Sequence, residues 1–94
     1  MRSVNDWGFV NSSPSMKLNI ISLKGIEFEG EAVSINMKTT SGEITVLDNH
    51  RPLITALTVG RVSITKNDGE KLVFNIQSGF FEMEKGSRAN ILIR

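Results

Sequence analysis

The residues that could carry chemistry in this chain are few and scattered. His50 is the single histidine, and cysteine and tyrosine are absent from the 94 residues. An enzyme needs a nucleophile, an acid–base pair or a metal in convergent geometry. Asp48 and His50 could form an acid–base pair, but Asp48, Asn49 and the nearby Pro52 favour a turn over a regular strand. We therefore do not expect these residues to be catalytic.

Ligand sites are not expected either. One imidazole is too few for a zinc site, and no glycine-rich phosphate-binding loop occurs, so we predict neither a metal nor a cofactor. Glu27, Glu29 and Glu31 alternate along one predicted strand, where charges discourage edge-to-edge aggregation.

Eleven basic and ten acidic residues give a net charge of +1. The absence of a basic stripe argues against nucleic-acid binding, and no apolar run is long enough to span a bilayer.

The elements that must position any functional residue are predicted to be strands. Apolar and polar residues alternate along several runs, for example at Val33, Ile35 and Met37, which indicates strands with one buried face. Turn residues such as Asn67-Asp68-Gly69 and Lys85-Gly86 separate the runs. The predicted strands, about nine, cover residues 17–23, 26–29, 32–39, 43–47, 53–57, 61–66, 71–77, 80–84 and 88–93.

The fold class that follows is an all-β sandwich. With no helical stripe to cover them, the apolar strand faces can only pack on one another, and two antiparallel sheets are the simplest arrangement. Residues 16–94 are predicted to form this single domain. Residues 1–15 are rich in Asn and Ser and lack the apolar core of a secretory signal. They are interpreted as a disordered leader or an extension, although Trp7 and Phe9 leave open an arm that contacts a partner.

Several segments, in order, resemble the F-type ATP synthase epsilon subunit. Residues 41–57 (SGEITVLDNHRPLITAL) and 60–64 (GRVSI) are similar to the family's Gly-Glu strand, its His-x-Pro-Leu turn and its Gly-x-Val-x-Ile strand. Residues 18–22 with 28–30 resemble the opening strand and Phe-x-Gly turn. Residues 77–83 resemble the Ser-Gly-Gly-x-x-Glu-Val segment.

The resemblance implies a flattened sandwich of two roughly five-stranded sheets. It also implies a non-catalytic rotor subunit that couples the gamma subunit to the c-ring during ion-driven ATP synthesis. Such a subunit would lie peripherally at the cytoplasmic face of an energy-transducing membrane, most simply a bacterial one, and would bind no small-molecule substrate. Rigidity would matter more than chemistry, since close-packed interiors deform little.

Particular residues are implicated by the same resemblance. Glu43 matches the Gly-Glu position, and His50 and Arg51 match a loop that the family places at the same end, so these three are expected to face the c-ring. A turn-stabilising role for His50 remains an equal alternative. Val73 and Leu92 are apolar on the mostly polar faces of their strands and are candidates for the gamma-facing surface.

Two alternatives and one departure complete the hypothesis. Most family members continue into a pair of C-terminal helices, whereas Arg94 directly follows the last predicted strand, which indicates a short form or a truncation. A free-standing β-sandwich binding module, such as a carbohydrate binder, is the main alternative, although the only tryptophan is Trp7. A hydrolase or isomerase on a small barrel is disfavoured by the lack of convergent polar residues.

Overall fold

The computed structural model describes residues 15–48 and 51–94. The described part of the chain folds into eight β-strands, which confirms the all-β prediction. The strands are β1 (Met16–Ser22), β2 (Gly25–Thr39), β3 (Gly42–Leu47), β4 (Leu53–Leu57), β5 (Gly60–Lys66), β6 (Lys71–Ile76), β7 (Gly79–Glu84) and β8 (Arg88–Ile93).

The pairings divide these strands into two sheets that share β2. The first half of β2 pairs with β1, and the order continues through β8 and β7 to β4, which we call the five-stranded sheet. The second half of β2 pairs with β3 on one side and with β5 on the other, and β6 follows β5, which we call the four-stranded sheet. A bridge between Thr39 and Leu57 links the sheets again through β4.

Two details of the prediction need correction. The predicted strands 26–29 and 32–39 are one continuous strand, β2, and Gly30 lies within it instead of at a boundary. The pairing of β1 with β8 is parallel, so the sandwich is mixed and not wholly antiparallel. β1 and β8 can pair this way because they are far apart in sequence, and only adjacent strands joined by a tight turn must be antiparallel.

The core lies between the two sheets. The alternating apolar residues of both sheets meet there, with Phe81 fully buried from the five-stranded sheet and Ile64 from the four-stranded sheet. Burial on this scale, without any cysteine, makes packing and backbone pairing the source of stability. The buried apolar residues are Met16, Leu18, Ile20, Ala32, Ile35, Met37, Val46, Leu57, Val62, Ile64, Ile76, Phe81, Met83, Ala89 and Ile91.

Candidate functional site

An apolar row crosses the outer face of the five-stranded sheet. Ile21 on β1 lies beside Leu92 on β8, Leu92 lies opposite Phe80 on β7, and Phe80 lies opposite Ala56 on β4. Paired residues of neighbouring strands project to the same face. These four residues, which we call the apolar row, therefore form one continuous strip across four strands.

The apolar row is open to solvent. Phe80 is 58% exposed and Leu92 is 53% exposed, while Leu23, at the tip of the β1–β2 hairpin beside the row, is 91% exposed. The row and this tip line a groove of about 500 Å³. A contiguous exposed apolar strip of this kind marks a partner or ligand surface more often than scattered single residues do.

Gly79 holds the strands of the row close together. A Cβ atom at Gly79 would lie 2.2 Å from the backbone oxygen of Leu92, nearer than any real contact allows. Only glycine therefore lets the start of β7 lie against β8 at this position. The close approach aligns Phe80 with Leu92 on the outer face.

Apart from Ile54 on β4, which lies opposite Glu82, the rest of the same face is mostly polar. Asn19 on β1 donates through Nδ2 to Oδ1 of Asn90 on β8 at 3.3 Å, and Asn90 donates through Nδ2 to Oε2 of Glu84 on β7 at 2.6 Å. Glu82 lies on β7 between Phe80 and Glu84 and is exposed. The outer face of the five-stranded sheet thus has an apolar part bordered by a hydrogen-bonded, acidic part.

Val73 is exposed as predicted but lies apart from Leu92. It is on β6, opposite Ser63 on β5, so it belongs to the outer face of the four-stranded sheet. The same row continues through Asn36 and Thr45, where Nδ2 of Asn36 donates to Oγ1 of Thr45 at 2.8 Å. Val73 is thus an apolar side chain whose own row of paired residues is polar, which is ordinary for a protein surface. The two predicted gamma-facing residues do not form one site.

Glu43 lies exposed beside the β2–β3 hairpin, on the edge strand β3. Its cross-strand neighbour is Lys38 on β2. Thr39 fixes the adjoining turn, because its Oγ1 donates to the backbone oxygen of Gly42 at 2.7 Å and accepts from the backbone N–H of Ser41 at 3.1 Å. This side-chain closure of the turn positions Glu43 at one end of β3.

Arg51 lies beyond the other end of β3. Asp48 is in a turn after β3, as the sequence predicted, and it accepts a hydrogen bond from Oγ of Ser87 in the β7–β8 turn. Arg51 is exposed and precedes β4. Four residues of β3 follow Glu43 and, at about 3.3 Å each, they place the far end of the strand roughly 13 Å from it, so a single contact with both would have to extend along β3. His50 lies outside the described residues.

The described residues contain no group of three or more metal-ligating side chains.

The shift in the pKa of Lys66 is a local effect in the β5–β6 hairpin. There a hydrogen bond of 3.0 Å from Nζ to Oε1 of Glu70, and the charge of that carboxylate, raise the pKa of Lys66 above its usual value. This exposed pair is far from the apolar row and fits an ordinary surface ion pair. No described helix could cross a membrane.

Most of the apolar row could not be identified from the sequence. Alternation singled out Leu92 but not Ile21, Phe80 or Ala56, because each of these three is an ordinary strand residue until its cross-strand neighbours are known. One signal was available: Phe80 has the same parity as Glu82 in its strand, which directs it outward. The alternation of the adjacent Phe81 into the core agrees with that parity.

The fold and the site together define a small β-sandwich domain. Its distinctive feature is an exposed apolar row on one sheet. A family model described as the beta-sandwich domain of the ATP synthase delta/epsilon chain matches residues 15–94. The chain belongs to this family, and the resemblance stated from its motifs is confirmed.

Two bacterial relatives agree with this assignment, and both are ATP synthase epsilon chains. The protein of Dichelobacter nodosus is 39% identical over 72 residues, which are 77% of this chain and 50% of the relative. The protein of Chlorobium limicola is 32% identical over 82 residues, which are 87% of this chain and 92% of the relative. This chain thus spans about half the length of the first relative and most of the second.

A solved structure shows the same fold. One chain of the Euglena gracilis mitochondrial ATP synthase, in an assembly of OSCP, F1 and c-ring, superposes with a TM-score of 0.81. The match covers 93% of this chain and 55% of that chain at 20% identity. The similarity supports the sandwich architecture independently of the sequence motifs.

Proposed function

We propose that this chain is a non-catalytic part of the rotor of an F-type ATP synthase, where it couples the gamma subunit to the c-ring. The observation that carries the proposal is the exposed apolar row in a domain of the epsilon family. The solved relative, whose assembly contains F1 and a c-ring, supports it at the level of the complex. Contact with the membrane would be peripheral, through the complex, at the cytoplasmic face in a bacterium.

The gamma-facing surface in this proposal is the apolar row. Leu92 lies at its centre, between Ile21 and Phe80. Aromatic and aliphatic anchors at the centre of an interface carry most of its binding energy. Val73 is the weaker of the two predicted candidates, because its cross-strand neighbours are polar and it lies on the other sheet.

The ring-facing surface in this proposal is the edge of the sandwich formed by β3. Glu43 would contact the polar loops of the ring near the β2–β3 hairpin, and His50 and Arg51 would contact them beyond the other end of β3. Both contacts together would require the ring loops to extend along β3, because the far end of the strand lies roughly 13 Å from Glu43.

The direct test is association with the gamma subunit from the same source, followed by size-exclusion chromatography with light scattering. The chain should form a stable 1:1 complex. Phe80→Ser should weaken the complex by at least about thirtyfold, since truncated central anchors cost about 2 kcal/mol or more. Val73→Ser, the same kind of change on the opposite sheet, is the matched control and should leave the affinity within about twofold.

The absence of a complex at micromolar concentrations, with the chain folded by circular dichroism, would contradict the proposal. It would favour the alternative, a free-standing β-sandwich binding module that uses the groove of about 500 Å³ for a ligand of its own. Equal losses from the two variants would retain the partner but refute the apolar row as its contact surface.

A further inference from the structure

The acidic border of the apolar row is not balanced by basic residues at every position. Two rows of paired residues follow the apolar row across the outer face of the five-stranded sheet. In the farther row, Lys17 lies between Glu31 and Arg88, and Arg88 lies between Lys17 and Glu84. Each carboxylate of this row therefore has a basic residue at a paired position, an arrangement that favours opposite charges across strands.

The nearer row is different. Glu82 on β7 lies opposite Asn90 on β8 and Ile54 on β4, neither of which is basic. Ile54 is 72% exposed, so it extends the apolar surface around Glu82. Glu82 also lies two residues from Phe80, on the same face of β7. It is therefore the carboxylate that borders the centre of the apolar row and has no opposite charge at its paired positions.

An interface that covers Phe80 and Ile54 will partly remove the Glu82 carboxylate from water. Leaving that charge without a partner costs far more than an exposed charge does. We propose that the partner surface that covers the apolar row carries a basic side chain opposite Glu82, and that Glu82 is a specificity-determining residue of the contact. This inference rests on the proposed binding of the gamma subunit.

The expected signature is kinetic. Charges at the border of an interface mainly accelerate association, and salt screens that effect. In stopped-flow binding to the gamma subunit at low ionic strength, Glu82→Lys should lower the association rate constant about 3–10-fold. The difference from the wild-type chain should shrink to less than about twofold at 0.5 M salt, where the screening length is only a few ångströms.

Glu70→Lys is the matched control, because it makes the same change in net charge on the distant β5–β6 hairpin. It should alter the association rate less than about twofold, since an exposed pair contributes little. Glu82→Gln should lie between the wild-type chain and Glu82→Lys. An ordered series of this kind requires a local charge interaction and not a change in fold.

The outcomes separate this inference from the proposed function. If the gamma subunit binds but Glu82→Lys and Glu70→Lys behave alike, the basic contact is refuted and the rotor proposal stands. If no gamma complex forms, the rotor proposal is refuted, and the inference about Glu82, which rests on it, is refuted with it. If light scattering shows a dimer of this chain that Phe80→Ser abolishes, the apolar row binds a second copy, and the inferred basic partner is overturned.

Discussion

Gly79 shows how one residue without a side chain determines the surface around it. Its position against the backbone oxygen of Leu92 leaves no room for a methyl group, and backbone cannot move aside as a flexible side chain can. Gly79→Ala should therefore destabilise the domain by about 3 kcal/mol, at the upper end of ordinary overpacking. Urea denaturation followed by circular dichroism measures this loss.

The control for this prediction is the preceding residue. Ser78 is half-buried and is the last residue of the β6–β7 connection, so Ser78→Ala should change the free energy of unfolding by less than about 0.5 kcal/mol. Similar effects from both substitutions would mean that β7 and β8 do not approach at Gly79 as described.

Exposure of single residues could be predicted from the sequence, but their grouping could not. Alternation correctly gave Val73 and Leu92 as outward-facing. It could not separate them, because parity fixes the face of a strand and says nothing about which strands are neighbours. The resemblance placed Glu43 and Arg51 at one end of the domain, whereas the four residues of β3 that follow Glu43 lie between them.

At the scale of the strand, β2 was the element that the sequence divided wrongly. Glycine is a residue typical of turns, which is why the sequence placed a boundary at Gly30. In the structure Gly30 lies within β2, and the ring of Phe28 packs over it, 3.1 Å from where a Cβ atom would stand. A register shift between Ala32 and Ser34 then lets β2 pass from one sheet to the other. Bulges of this kind bend a strand without ending it, and they depend on pairing partners that are distant in sequence.

The adjacent phenylalanines of β7 test the assignment of faces within one strand. Phe81 is fully buried, whereas Phe80 is 58% exposed. Phe81→Ala should cost about 3–5 kcal/mol through lost burial and a residual cavity. Phe80→Ala should cost less than about 1 kcal/mol because it removes mostly solvated surface.

Thermal and urea denaturation of the two variants, with the wild-type chain alongside, measures the difference. Because both variants replace phenylalanine by alanine in the same strand, the change in strand propensity is the same in each and cancels from the comparison. A larger loss from Phe80→Ala would mean that the faces of β7 are reversed, and the apolar row would then belong to the core.

At the scale of the whole molecule, the sandwich suits a mechanical coupler. Every described strand pairs with at least one other, and two connections through β2 join the sheets. Such a close-packed unit deforms little and transmits force between its surfaces. The proposed gamma contact and the proposed ring contact lie on separate surfaces, the outer face of the five-stranded sheet and the edge strand β3.

That separation predicts independent effects of substitutions at the two surfaces. Glu43→Lys should leave the gamma complex intact, because Glu43 lies on β3 in the other sheet. It should weaken binding of the preformed gamma complex to c-rings in nanodiscs by about 3–10-fold at low salt, as expected for a charge at an interface. Unchanged ring binding, with Glu70→Lys as the reference for net charge, would remove Glu43 from the ring-facing surface.

In the proposed function, the apolar row is the surface by which this domain joins the rotor. Hydroxyl-radical footprinting of the free chain and of its gamma complex tests this directly, because it measures the solvent exposure of individual side chains. Phe80 and Leu92 should lose most of their labelling in the complex, while Val73 should keep its own. Protection of Val73 with continued labelling of Phe80 and Leu92 would contradict it.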